Sequence, residues 1–473
     1  MCLALLFAPA ASAAGDELTF PASSVDPVAR RFALDPGRVI DAQAVDAVEP
    51  ERLAATLSVL LRIPSASCRE GSIAKAASEL LVHIASPLGI RVEIDDIPAR
   101  AAALAGEKRA KVYCDLGKTP PDSGNVIAFL PGDPALPSWN VSFHLDTNQL
   151  VYEGFRRDGD RFLAPPKSPL GADDKAGLAI IAEVLTILRD RKIPHGDLRI
   201  VGLVAEEDSA AGAQLVDGEH FRGDIVVSVD GGNPEEIGRA APTMYKGWVT
   251  IRTQTSHPSE IHAKKTVSAC AVGARFLHEA GFRPEGFPPG HPAVVLHTYF
   301  TSCGIDGGRF TPKGEPIADY QYNSISPFWT TAWQMRNLEG PAKAQELADG
   351  IAATLKRVCK EAAAGRTPVR CEIAGDRAPE LLGYFVDETA PALHWLEAGY
   401  RRTGAPPTVT AEQFGAFNGN AVKERFGEEM LLLGTGGDQA HTNEETVSVN
   451  GMARVARGLL AAMQESWRYV LAP

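Results

Sequence analysis

At 473 residues, with 45% hydrophobic and 22% charged side chains, the chain has the composition of a folded protein and exceeds one ordinary domain of roughly 50–250 residues. A net charge of −12 without any long basic run argues against gripping a phosphate backbone by general electrostatics, so no nucleic-acid partner is expected. The longest apolar stretch, Leu3 to Ala14, falls short of the roughly 20 residues that a membrane span needs.

That stretch carries Ala11-Ser12-Ala13 as a small-residue cleavage site and reads as a signal peptide over 1–14 with a truncated n-region, since only Met1 and Cys2 precede it. A periplasmic or secreted location is expected, and a cytoplasmic one if the segment is not a signal. Cleavage would leave Cys68, Cys114, Cys270, Cys303, Cys359 and Cys371, none in close Cys-x-x-Cys pairing, so no cysteine zinc site is expected. They are read as buried thiols or, in an exported protein, as disulfides of undetermined pairing.

After a Pro- and Asp-rich lead-in to about residue 48, the spacing of Leu53, Leu57, Leu60 and Leu61 predicts a helix over 50–62, followed by a helix over 72–86 and a short strand at 90–94. Residues 125–130 and 139–143 read as strands. The helix at 177–188 starts directly after Gly171-Ala172-Asp173-Asp174-Lys175, and strands at 198–205 and 224–229 complete the βαβ alternation of a parallel sheet. From Gly238 to Cys371 the rhythm changes: a strand at 248–255, a helix at 266–280, a Gly- and Pro-rich excursion from Gly281 to Pro327, a strand at 333–337 and a helix at 347–364. A helix at 388–403, a strand at 430–433 and a helix at 449–467 close the chain. The expected class is α/β, with a mixed, largely parallel sheet flanked by helices in a discontinuous catalytic domain, 48–236 and 375–473, interrupted by an α+β insert over 237–374.

Four apolar, strand-like runs break off into residues able to bind a divalent metal: His144-Leu145-Asp146, Glu206-Glu207, Asp230 and, further on, His441. In an open α/β sheet ligands bind at the carboxyl ends of the strands, so these residues are expected to share one site. His144 and Asp146, two apart on an extended strand, point to the same side, so Asp146 can orient a metal-binding imidazole without touching the metal. Asp173 and Asp174 stand at a loop-to-helix junction, where helix capping is a competing explanation. Where a strand opens into a loop, Glu206 and Glu207 can converge, one binding metal while the other moves a proton. Asp230 ends a nearly all-apolar run, where an unpaired carboxylate is costly and a metal relieves the cost. Two histidines and three carboxylates with a spare acid are what a co-catalytic metal pair about 3.5–4 Å apart requires.

With these motifs in this order, the chain from about residue 50 onward resembles the co-catalytic zinc peptidases and deacylases that include peptidase T, glutamate carboxypeptidase, aminoacylase and succinyl-diaminopimelate desuccinylase. Gly171-Ala172-Asp173-Asp174-Lys175-Ala176-Gly177 looks closest to peptidase T. The resemblance implies two zinc ions per chain, with cobalt or manganese as alternatives. It implies Asp173 as the bridging ligand, Glu207 and His441 on one ion, His144 and Asp230 on the other, Glu206 as general base, and Asp146 as the orienting acid. It implies that the insert is a lid and dimerisation domain, making a homodimer. In that domain His257 would hydrogen-bond the oxyanion, and Arg336 would hold a substrate carboxylate. The implied function is an exopeptidase, a peptidase T-like aminopeptidase acting on small peptides. The alternative in the same family is a carboxypeptidase or a deacylase of N-acyl amino acids, and the alternative of another class is a catalytically inactive peptide-binding protein.

Overall fold

The chain folds as two units in this computed structural model, which describes residues 17–20, 30–148, 154–283, 285–288, 290, 292–304 and 325–472. The first unit takes in the residues up to Ile237, Asp387–Val409 and those from Phe426 on; the second takes in Gly238–Val386 and Thr410–Arg425. The expected signal peptide over 1–14 lies outside the described residues, as do residues 305–324 of the Gly- and Pro-rich excursion. Among the described residues no helix is long and apolar enough to cross a membrane.

The first unit is organised on a sheet of β1 (Arg91–Ile94), β2 (Val126–Leu130), β3 (Trp139–His144), β4 (Leu198–Leu203), β5 (Ile225–Val229), β6 (Glu236–Gly238), β7 (Thr408–Thr410) and β8 (Leu431–Leu433). Their spatial order is β7-β6-β8-β5-β3-β4-β2-β1. β3 runs parallel to β4 and β5, and β8 parallel to β5, while β1 and β2 run antiparallel at the far edge. This is the mixed, largely parallel α/β sheet expected from the alternation of elements.

Every residue of β3 is buried, as befits a central parallel strand covered on both faces, so the polar Asn140, Ser142 and His144 that alternate with Trp139, Val141 and Phe143 are buried as fully as the apolar ones. The helix that follows β3, Ala172–Arg191 (α1), is buried on nearly all sides, with Leu178, Ile180, Val184, Leu185 and Leu188 in the core. Each such side chain stabilises the fold by roughly 1.5–3 kcal/mol. Its buried Glu183 is satisfied by Arg52 at 2.6 Å and by the Glu49 N–H at 2.8 Å. Gly177 lets α1 approach the sheet, because a Cβ there would lie 2.3 Å from the Val229 carbonyl oxygen. That close approach sets the start of α1 against the end of β5. The last helix, Val449–Ser466 (α2), is capped by the Ser448 side chain, which accepts the Gly451 N–H at 2.9 Å.

The second unit has a four-stranded antiparallel sheet, ordered Val294–Gly304, Phe328–Asn337, Thr243–Arg252, Arg370–Ala374. Helices Ala269–Glu279 and Pro341–Ala363 share a core with it that includes Tyr245, Val249, Phe276, Trp329, Trp333 and Leu355. A Cβ on Gly273 would meet the Trp329 ring at 2.2 Å, so helix and strand touch through bare backbone there. The strand Val294–Gly304 sits within the expected excursion: its β-branched residues pair with Phe328–Asn337, and the surrounding Gly and Pro had hidden it. The lead-in also differs from expectation, since Arg30–Leu34 pairs with Tyr469–Leu471, a partner at the far end of the chain that leaves no local signal.

Candidate metal centre

His144, the last residue of β3, has an almost completely buried ring. Its Nε2 lies 3.1 Å from Asp173 Oδ1 and 3.6 Å from Asp230 Oδ1. On the opposite side, its Nδ1 lies 3.0 Å from the Asp146 carbonyl oxygen and 3.3 Å from Asp146 Oδ1. Nδ1 is thus engaged by Asp146, and Nε2 is aimed at two carboxylates from other elements.

Asp173 stands where α1 begins but is not helical itself (φ −80, ψ 101), and its peptide bond to Asp174 is cis. Its second oxygen, Oδ2, lies 3.3 Å from His441 Nε2. One carboxylate therefore faces both histidines. Asp174 turns inward: its Oδ2 accepts the His144 N–H at 3.2 Å and its Oδ1 accepts the Gly177 N–H at 3.0 Å. Although Asp174 also lies in a cluster with His144 and Asp230 that is close enough to surround one cation, both its oxygens are engaged by backbone donors, which favours Asp173 as the ligand.

Beyond β4 the chain turns at Ala205, with φ +53, and presents Glu206 and Glu207. Asp146 shapes this turn, since its Oδ1 accepts the Glu206 N–H at 3.0 Å and its Oδ2 the Glu207 N–H at 3.1 Å. Ser67 Oγ adds a hydrogen bond to the same carboxylate at 2.5 Å. Glu207 Oε1 lies 2.7 Å from His441 Nε2. Two ligand-type atoms converge here as they would around an ion.

Asp230 follows β5, its N–H bonded to the Leu433 carbonyl at 3.0 Å, so β8 fixes where the acid sits. His441 reaches the same place from the glycine-bearing loop after β8, in a left-handed conformation (φ +67) and with its side chain 44% exposed. Gly434 allows that loop to cross, as a Cβ there would lie 1.8 Å from the Asn233 carbonyl oxygen.

The electrostatics show what the cluster lacks. Burial, then Asp230 and Glu207, raises the proton affinity of Glu206 well above that of an ordinary carboxylate. Burial likewise lifts Glu207 to about 7 against the pull of His441, and it raises Asp230. Burial would drive the His144 ring neutral, yet Asp230, Asp146 and Asp173 hold its proton well above the usual range. His441 is raised to about 10 by its contacts with Asp173 and Glu207. Crowded acids that hold protons on both imidazoles need positive charge, and nitrogen and carboxylate donors suit a borderline divalent cation.

The structure thus brings together His144, Asp173, Glu207, Asp230 and His441, with Asp146 and Glu206 beside them. His257 and Arg336 belong to the second unit. His257 contacts Ser259 Oγ at 2.8 Å, and Arg336 donates to the Phe414 carbonyl at 2.8 Å and to Gln334 Oε1 at 3.0 Å.

Three further residues went unnoticed in the sequence. Ser67 holds Asp146 as described. Glu70 is buried, with Oε1 accepting the Cys68 and Ala205 N–H groups at 2.8 and 2.9 Å, which braces the turn before Glu206. Glu445 accepts the backbone N–H groups of Gly171, Ala172 and Asp173. Only Glu445 left a trace in the sequence, an acid shortly after His441. Asp173 and Glu445 also line a cavity of about 530 Å³ walled by Arg161, Gly231 to Pro234 and Thr435 to Ala440.

A family model described as peptidase family M20/M25/M40 matches residues 171–465. Protein YqjE of Bacillus subtilis, itself uncharacterised, is 27% identical over 49% of this chain and 56% of its own length. Peptidase T of Citrobacter koseri is 32% identical over 24% of this chain and 37% of its own. The chain therefore spans about half and about a third of these two relatives. The crystal structure of aminopeptidase PepT from Bacillus cereus is similar with a TM-score of 0.69 at 21% identity, covering 89% of this chain and 99% of that one, a likeness of fold.

Proposed function

The chain belongs to peptidase family M20/M25/M40, and from that premise we propose that it is a di-zinc metallohydrolase that cleaves an amide bond in small peptides as a peptidase T-like aminopeptidase. The observation that carries this reading is the Asp173 carboxylate, with one oxygen 3.1 Å from His144 Nε2 and the other 3.3 Å from His441 Nε2. A carboxylate turned to both histidines is what a bridge between two ions needs. His144 and Asp230 would complete one ion's set, and Glu207 and His441 the other's.

When bound, the pair would supply an acidified water and a polarised substrate carbonyl. Glu206, beside the ligands and held by Asp146 through its backbone, takes the proton of the attacking water and delivers it to the leaving amine. The raised proton affinity that burial gives Glu206 suits that exchange. Asp146 keeps the His144 ring oriented and the Glu206-Glu207 turn in place. His257 and Arg336 carry the proposed substrate-side roles, a hydrogen bond to the oxyanion and a bidentate grip on a carboxylate. The preference for an aminopeptidase draws on the names of the similar Peptidase T and aminopeptidase PepT.

Export is part of the proposal. Disulfides Cys68–Cys114 and Cys359–Cys371 support it, because such bonds persist in oxidising compartments. A homodimer formed through the second unit is also proposed, and light scattering on the purified protein checks it.

The deciding experiment gives the purified protein, its metal counted, one peptide in free, N-blocked and C-amidated forms. Turnover lost on N-blocking supports an aminopeptidase. Loss on amidation instead would replace that reading with a carboxypeptidase. Two bound metals without turnover of any form would point to a deacylase.

A further inference from the structure

Glu445 shares its loop with His441 but is almost fully buried, at 2% exposure. Its Oε1 accepts the Ala172 N–H at 2.8 Å and the Asp173 N–H at 3.1 Å, and its Oε2 accepts the Gly171 N–H at 3.0 Å. Those three amides precede the regular part of α1, because Asp173 and Asp174 both leave the helical conformation. Gly171 provides no side-chain cap of its own. One loop therefore delivers two things to Asp173: the His441 ring, 3.3 Å from its Oδ2, and a carboxylate that grips its backbone.

We propose that Glu445 is a positioning residue for the metal pair, holding the Gly171-Ala172-Asp173 turn so that the two oxygens of Asp173 stay turned towards His144 and His441. This rests on the di-metal reading of the site. Glu445 would contribute to metal affinity without being a ligand, as partners that orient ligands do.

A carboxylate is required by the donor count. Three N–H groups converge on two oxygens, which a carboxylate accepts without offering a competing proton. Glutamine at this position would present one oxygen and one NH2 group, setting a donor against an amide donor. Alanine would leave three buried amides without this acceptor. Plain helix capping makes a different prediction, since a cap lost from the fold lowers stability with or without metal, whereas a displaced bridging carboxylate weakens the metal itself.

The test compares wild type and Glu445→Gln in three measurements: zinc affinity by chelator competition, the visible spectrum of the Co2+-loaded protein, and Tm with and without metal. Expected are an affinity for the pair lower by about 10- to 100-fold, an altered Co2+ spectrum, and a smaller metal-dependent rise in Tm. A variant with wild-type affinity and spectrum, even at lower Tm, makes Glu445 a structural cap and overturns the proposal. If Glu445→Gln does not fold, Glu445→Asp keeps the charge and withdraws the oxygens by one methylene. Weakened affinity in that variant supports the proposal, and unchanged affinity overturns it. A wild-type protein that binds no metal would overturn the di-metal reading and this inference together, whereas two tightly bound ions in both proteins would sink only the role of Glu445.

Discussion

The carboxylate of Asp146 accepts the backbone N–H of Glu206 at 3.0 Å, tying the acid that orients His144 to the acid proposed to move protons. Its other oxygen accepts the Glu207 N–H at 3.1 Å, so Asp146 governs a histidine ring and an entire turn. Asp146→Asn should keep the fold, lose an acceptor where an amide donor now stands, and weaken metal binding by about 10- to 100-fold. Unchanged zinc affinity in that variant would show that the Glu206-Glu207 turn holds itself.

Glu206→Gln should retain two metals per chain while hydrolysis falls by about 10²- to 10⁴-fold, the range that proton transfer from a positioned side chain contributes. Metal content and single-turnover rate are measured on the same sample. A variant with its metal and the parent rate would remove Glu206 from the mechanism.

Asp173→Ala should cost more metal than any other single change in the cluster, because it removes a carboxylate that turns one oxygen to each histidine. His441→Ala should leave the His144 side able to hold an ion, so the expected content is near one per chain against two in the parent. Chelation should abolish hydrolysis and lower Tm, since a ligand at about 1,000 times its Kd stabilises the folded state by about 4 kcal/mol. Two metals retained in Asp173→Ala would falsify the bridging assignment.

Glu70, outside the proposed ligand set, provides a pH test. Burial, reinforced by the Asp146 charge, pushes its carboxyl up to about 9. A carboxyl with a raised folded pKa keeps its proton in the folded state where the unfolded chain has lost it. Its stabilising contribution is full below about 4.5 and declines as pH rises towards about 9, by at most about 1.4 kcal/mol per pH unit. Glu70→Gln keeps an oxygen for the Cys68 and Ala205 N–H groups and cannot titrate. Urea unfolding of metal-free protein between pH 5 and 9 should therefore show a flatter stability profile in the variant and higher stability at pH 8. Parallel profiles would mean that Glu70 is already ionised in the folded state.

Much of this centre is legible in the chain because its geometry follows from local periodicity. A strand buried on both faces reads as an apolar run, and the residue just beyond its carboxyl end lies at the sheet edge where ligands gather. That rule reached His144, Glu207, Asp230 and His441. Asp173 lies outside it, in a turn ahead of α1, and needed the resemblance of its surrounding motif.

Ser67, Glu70 and Glu445 were not legible in the same way. Each acts through hydrogen bonds to groups distant in sequence, Glu445 to residues 272 to 274 positions earlier and Glu70 to Ala205. A lone buried acid carries no periodicity and no characteristic spacing. The strand Val294–Gly304 went unseen for a related reason, as its partner strand lies beyond a stretch dense in Gly and Pro.

The sequence by itself determined the α/β class, the alternation that builds the parallel centre of the sheet, and the residue types able to hold a cation. These depend on side-chain periods and on chemistry that each residue carries alone. Tertiary structure decided which carboxylate does what. Asp173 turns its oxygens to both histidines while its neighbour Asp174 is taken up by the N–H groups of His144 and Gly177, and Asp146 serves backbone amides. An aspartate looks the same in every motif; its role is set by the donors that the fold brings to its two oxygens.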